Sequence, residues 1–372
     1  MRTAWLLPLL VLIAACDSAS PPAPQELSLD LLMAPVTGAE VSAVVADWQR
    51  RDTAARDVRV EGTSNVTLGS VPMTATVYSH DVGGVRHIGV VLVPTALTQP
   101  ASAPVLIYAK GGYTGPGGFA APPIEEVATR LPGEPLRSQL VYVIPAYRSE
   151  RISVGGTVYT AGGSISLGDY DVDDTMALLS VALQHVPQAD PSRVAIVGES
   201  RGALVALAMG ARDPRVDLVV DAFGPSDFRI AFGALDNATF LASVRAALAA
   251  PDDPANLITS ALLPLDALTA QPDGSVMITA EGLQRLRLTL ARTAPRAYVA
   301  RLPRTEVHHG TGDTVASVEF SRALRDAFVA AGRPSGSGSF TYYEYPGGQH
   351  DVTTLPGYFT RVAGALTQVF GL

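Results

Sequence analysis

The chain has 372 residues, 47% of them apolar and 17% charged, with a formal net charge of −8. That length suits one large α/β domain or two small ones, and the apolar content excludes intrinsic disorder. The acidic balance and the lack of any basic run speak against a nucleic-acid partner.

Near the start, Arg2 precedes an apolar stretch from Ala4 to Ala15, ended by Cys16. The stretch is too short to span a bilayer as a mature helix, so residues 1–15 read as a signal peptide. Cys16 is the only cysteine, so no intrachain disulfide can form. Residues 16–36 are expected to be an anchor and flexible tether. The domain then runs over 37–372. Thr37 and Glu40 form a capping-box pattern, and Val41, Val44, Val45 and Trp48 share one helix face. Strand-like runs follow at 73–78, 88–93, 105–108 and 141–144. Asp171, Asp173 and Asp174 head a helix whose apolar face includes Met176, Leu179 and Leu183. They read as acids favouring a helix N-terminus rather than as metal ligands.

From there strands and helices alternate: a strand at 194–197, a helix at 201–211 and the strand Val216–Ala222, then a strand at 305–308, a helix at 318–331, the strand Phe340–Tyr345 and a last helix at 355–370. This rhythm predicts a mostly parallel sheet with helices on both faces. Residues 228–300 interrupt it with Leu/Ala-rich helical patterns broken by Pro251, Pro254, Pro264 and Pro272. They are expected to form an inserted helical lid. Its Leu262, Leu263, Leu286, Leu288 and Leu290 either line an acyl pocket or make the lid's own core.

The chemistry is carried by Gly198-Glu199-Ser200-Arg201-Gly202, which sits between an apolar strand and a small-residue helix. A serine on such a sharp turn has its hydroxyl exposed, and glycines on either side leave room for the turn. A serine nucleophile needs a base, and the base needs an acid to orient it. Asp313 and His350 follow Ser200 in that order, each just after a strand, at the sheet edge where such folds bind ligands. His80, His87 and His185 read as ordinary, partly exposed residues. His308 and His309 precede the acid and fit poorly as the base; His309-Gly310 is expected to shape the turn presenting Asp313. The oxyanion hole needs two backbone N–H groups. Arg201 is expected to supply one and Gly112 the other, with Tyr113 as the alternative. Arg148 and Arg151 are candidates to meet a substrate carboxylate, or serve structure alone. No metal-ligand spacing is present, and this chemistry requires no cofactor.

Ile13-Ala14-Ala15-Cys16 resembles a bacterial lipobox. That resemblance implies cleavage before Cys16, its acylation and a membrane-tethered protein facing the periplasm or exterior. Over residues 65–372 the chain resembles an α/β-hydrolase, nearest the catalytic domain of prolyl oligopeptidase-like serine hydrolases. The likeness rests on Lys110-Gly111-Gly112, Pro145-Ala146-Tyr147-Arg148, Asp190-Pro191-Ser192-Arg193-Val194, His309-Gly310-Thr311-Gly312-Asp313 and Gly348-Gln349-His350. It implies Ser200 as nucleophile, Asp313 as acid, His350 as base, and Gly112 with Arg201 as oxyanion donors. Lys110 stands where the family usually has histidine, and nothing ahead of the first strand is long enough for a β-propeller. Small accessible esters are therefore the expected substrates, with short peptides as the alternative and a catalytically silent binding module as a third possibility.

Overall fold

Along Ala103–Ala109, Val105 and Ile107 face one apolar core while Leu106 and Tyr108 face another, and all four are buried. A strand apolar on both faces needs cover on both. The computed structural model describes residues 23–113 and 122–372, and in it that cover is present.

The central sheet has nine strands: β1 (Arg56–Leu68), β2 (Val71–Val82), β3 (Val85–Pro94), β4 (Ala103–Ala109), β5 (Val141–Pro145), β6 (Ala189–Glu199), β7 (Val216–Ala222), β8 (Arg304–Gly310) and β9 (Phe340–Tyr345). Their spatial order is β9-β8-β7-β6-β4-β5-β3-β2-β1. The pairings β1–β2, β2–β3 and β3–β5 are antiparallel, and every other neighbour is parallel. Helices α1 (Gly38–Arg50), α2 (Tyr170–His185), α3 (Arg201–Arg212) and α4 (Glu319–Ala330) contribute to the core on one face. Helix α5 (Tyr358–Phe370) closes the other face, filled by Tyr358, Val362, Leu366 and Phe370. The capping box at α1 is formed, Thr37 and Glu40 each satisfying the other's backbone N–H.

Three expectations change. The tether does not extend to residue 36: Gln25–Glu26 pairs antiparallel with Val276–Ile278, and Leu29–Met33 is a helix. Leu27 and Leu32 are buried among Phe240, Val244 and Leu286, apolar surface that a solvated tether would leave in water. Residues 1–15 and Cys16 lie outside the described residues. Second, His80 and His87 are both buried, edge to face with ring centroids 4.8 Å apart, on paired positions of β2 and β3. Third, the long edge strand β1 and the hairpin Arg151–Val154/Thr157–Thr160 have no counterpart in the sequence reading, because their residues are largely polar or exposed.

The 228–300 segment folds as helices around the short pair Leu268–Ala270 and Val276–Ile278. Leu262, Leu263, Leu286 and Leu290 form its core together with the N-terminal Leu27 and Leu32, while Leu288 packs against the core beneath α1.

Candidate active site

Ser200 occupies the tip between β6 and α3 at φ +54°, a backbone region sparsely populated by residues other than glycine. The close turn explains its glycines. A Cβ on Gly198 would lie 2.2 Å from the Gly202 carbonyl oxygen, and one on Gly202 would lie 1.9 Å from that of Ala109. Real side chains never approach so closely, so both positions are closed to anything but glycine. The strand β4 thus runs hard against the turn, and the Lys110-Gly111-Gly112 segment leaves β4 directly over it. A Cβ on Gly111 would lie 3.0 Å from Ser200 Cβ. Gly112 takes φ +71°, a left-handed conformation suited to glycine.

Asp313 and His350 arrive on the loops after β8 and β9. His350 Nδ1–H donates to Asp313 Oδ2 at 2.7 Å. The other Asp313 oxygen accepts the backbone N–H groups of Val315 at 2.8 Å and Ala316 at 2.9 Å. The carboxylate is wholly buried and held by its own loop. His309 supports it from beneath, with Nε2 3.3 Å from Asp313 Oδ2 and 2.9 Å from the Ala316 carbonyl, and with Nδ1 2.6 Å from Ser321 Oγ. Burial pushes the His309 imidazole below its ordinary value, which keeps the ring neutral there. The His350 ring lies 4.4 Å from that of Phe223, itself at φ +47°. With Nδ1 committed to Asp313, Nε2 is the nitrogen left to take a proton.

Ser200 and His350 line one cleft of about 530 Å³, together with Gly111, Gly112, Tyr113 and Phe223. Among the described residues no hydrogen bond joins the Ser200 hydroxyl to His350; such contacts are commonly long until a substrate is bound. Among the described residues, further walls come from Pro122–Arg130 and the start of the Arg151–Val154 strand, with Ile124, Val127, Ile144 and Ile152 in the apolar lining. No residue of 228–300 lines the cleft. The expected lid is a separate buttress; its leucines face one another because they find more apolar area there than at an open cleft.

Glu199 and Arg130 add polar groups to the cleft that the sequence did not single out. Glu199, beside the nucleophile, accepts from the Tyr108 hydroxyl at 3.3 Å and lies 3.7 Å from Arg130. Burial pushes its carboxyl up to about 7, with Arg130 pulling the other way. Arg130 also donates to Asp351 at 2.8 Å. Lys110 lines the cleft while donating to Glu150 at 2.6 Å.

The three aspartates at the head of α2 are taken by arginines. Asp171 receives Arg201 at 2.8 Å, Asp173 receives Arg51 at 3.0 Å as well as Arg212, and Asp174 receives Arg148 at 2.9 and 3.0 Å. Arg148 is thereby committed to structure, whereas Arg151 lines the cleft. Among the described residues no cluster of His, Cys, Asp and Glu has metal-binding geometry.

No protein-family model and no curated protein sequence matches the chain. Solved structures do. Acetyl xylan esterase 1 from Thermoanaerobacterium sp. superposes with a TM-score of 0.55 at 14% identity, covering 93% of this chain and 100% of that one. An acetyl xylan esterase from Paenibacillus sp. gives 0.54 at 17% identity, covering 94% and 96%. The chain has the α/β-hydrolase fold. A puromycin-hydrolyzing peptidase from Mycobacterium tuberculosis is also similar, with a TM-score of 0.50 at 15% identity, covering 84% of this chain but only 39% of that one.

Within this fold, the serine turn, the acid loop and the histidine loop lie after β6, β8 and β9, all parallel and running to the same edge of the sheet. The turn after β4 completes the set.

Proposed function

We propose that this α/β-hydrolase is a serine hydrolase that cleaves carboxylic esters through an acyl-enzyme. The observation that carries the reading is the Asp313–His350 hydrogen bond at 2.7 Å, at the rim of the cleft that holds Ser200. In the first half-reaction the Ser200 oxygen attacks the ester carbonyl carbon and its proton passes to His350 Nε2. Asp313 holds the imidazole by Nδ1–H and stabilises the imidazolium. The carbonyl oxygen becomes an anion, stabilised by the backbone N–H groups of Gly112 and Arg201. Collapse expels the alcohol, which takes the proton from His350. Water, deprotonated by the same nitrogen, then releases the acid and restores Ser200.

The cleft favours small substrates. Its apolar lining accommodates a short acyl group, and it opens without a cover from 228–300. A second reading, cleavage of aminoacyl amides or short peptides by the same triad, is favoured by Glu126 and Glu199, two carboxylates in the cleft able to receive a substrate ammonium. Turnover of p-nitrophenyl acetate and of an aminoacyl p-nitroanilide by one preparation separates the two. Ester turnover well above anilide turnover supports the first reading, the reverse order supports the second, and activity on neither, with no labelling by a fluorophosphonate probe, removes both.

Acylation at Cys16, with tethering to a bacterial envelope membrane, completes the proposal and rests on the lipobox resemblance. Incorporation of radiolabelled palmitate into the full chain, lost in Cys16→Ser, is the expected result.

A further inference from the structure

Two segments carry the proposed oxyanion donors, and they arrive from different parts of the fold. Gly112 lies in the turn opened by Lys110 after β4, and Arg201 opens α3 after β6. Pairing of β4 with β6 and the close glycine contacts bring the two segments to one edge, and a buried side chain reaches both.

Glu150 is wholly buried. Its Oε2 accepts from Lys110 Nζ at 2.6 Å, and its Oε1 accepts from the Arg201 guanidinium. The Tyr147 ring lies against both cations, 5.1 Å from Lys110 Nζ and 4.9 Å from the Arg201 guanidinium carbon. The Tyr147 hydroxyl donates to the Lys110 carbonyl at 3.2 Å, fastening the backbone of the same turn. The loop that presents these groups is itself held in an unusual shape. Tyr147 has φ +24° and Ser149 φ +62°, both left-handed and neither glycine. The Ser149 N–H donates to Gly162 at 2.9 Å and the Glu150 carbonyl accepts from Ala161 at 2.8 Å, so the loop is pinned on its outer side.

We infer that Glu150 is a positioning residue for the oxyanion hole: one carboxylate clamps the Lys110 turn to Arg201 and so fixes the distance between the two donor N–H groups. The inference rests on the hydrolase reading above. Its physical basis is that oxyanion donors act only when preorganised at the site of developing charge, so small displacements cost rate rather than binding. Arg201 has a second anchor, Asp171 at 2.8 Å and the Ser166 carbonyl at 2.9 Å. The Lys110 turn, held otherwise by the Tyr147 hydroxyl, is therefore the side expected to shift more when the clamp is cut. Glu150→Gln keeps shape but presents an amide N–H₂ to one of two cations, which repels that side.

The test uses the full chain and steady-state hydrolysis of p-nitrophenyl acetate, with affinity for a boronic acid that forms a tetrahedral adduct at serine. In Glu150→Gln, kcat is expected to fall by about 10- to 100-fold, less than the loss of a whole donor, with KM changed less than about three-fold. Boronate affinity is expected to fall in step with kcat/KM. Lys110→Met, which frees only the turn and leaves Arg201 on Asp171, is expected to give part of the same split, and it decides the matter if Glu150→Gln does not fold. Arg148→Met, which breaks a neighbouring buried pair with Asp174, is expected to lower thermal stability without the split. Wild-type-like kcat and boronate affinity in folded variants, beside an active wild type, overturns the clamp and leaves the hydrolase reading intact. An inactive wild type overturns that reading instead.

Discussion

Gly310 and Gly348 cross backbone against backbone: a Cβ on Gly310 would lie 2.2 Å from the Gly348 carbonyl oxygen. This crossing joins the loop that carries Asp313 to the loop that carries His350. It is reinforced by the Gly312 N–H, which donates to the same carbonyl at 2.9 Å. The acid and base meet because two glycines let two parallel strand ends touch. Gly310→Ala is therefore expected to destabilise the chain by about 1–3 kcal/mol through overpacking. Because it also moves Asp313 away from His350, turnover by the folded fraction should fall by roughly 100-fold. Urea unfolding and kcat on p-nitrophenyl acetate, measured on one preparation, check both; normal turnover would mean the crossing does not set the pair.

Asp313→Asn preserves shape while replacing an acceptor with an amide that favours the wrong imidazole tautomer. The expected loss in kcat is on the order of 10⁴-fold, with small change in KM. His309, 3.3 Å from the same oxygen, is not expected to compensate, because Ser321 and Ala316 already hold its two nitrogens. A loss under about ten-fold would show that another group orients His350.

Leu32→Ala and Leu286→Ala both empty the satellite core shared by the N-terminal segment and the 228–300 segment. Each is expected to cost about 2–5 kcal/mol of stability. Neither residue lines the cleft, so kcat and KM per folded molecule should stay at wild-type values. A changed preference among acyl chain lengths in Leu286→Ala would restore a lid-like role to that segment.

His80 gives an acid-side prediction. Burial pushes its imidazole down to about 4 from an ordinary 6.5. Between those values the unfolded chain holds the extra proton and the folded chain does not, so His80 costs stability as pH falls from 6.5 toward 4. His80→Leu removes that dependence. Relative to its own difference at pH 7, the variant should gain about 2 kcal/mol on wild type at pH 5. Denaturant midpoints at the two pH values measure this, and parallel losses in both proteins would dismiss it. His87 is pushed in the same direction by burial and by His80, so the double replacement should flatten the acid limb further.

The local demands of the fold were legible from the sequence. The alternation of strands with helices from β4 to β9 announced a mostly parallel sheet covered on both faces. The Gly198-Glu199-Ser200-Arg201-Gly202 spacing announced a turn too tight for side chains at Gly198, whose contact is with Gly202, whereas the Ala109 carbonyl that closes Gly202 comes from a distant strand. Chain order, together with a place just after a strand, selected Asp313 and His350, and the structure brings those two together. What stayed hidden depends on which loops the strand order makes neighbours. Nothing near Glu150 in sequence announces that it meets Lys110 and Arg201, forty and fifty-one positions away. The same holds for Asp174 and Arg148, for His80 against His87 across a hairpin, and for Leu27 and Leu32, whose partners lie more than two hundred residues on. Buried charges and satellite cores are chosen by three-dimensional proximity. Their energies come from desolvation and pairing across the sheet, terms that no local window of sequence contains.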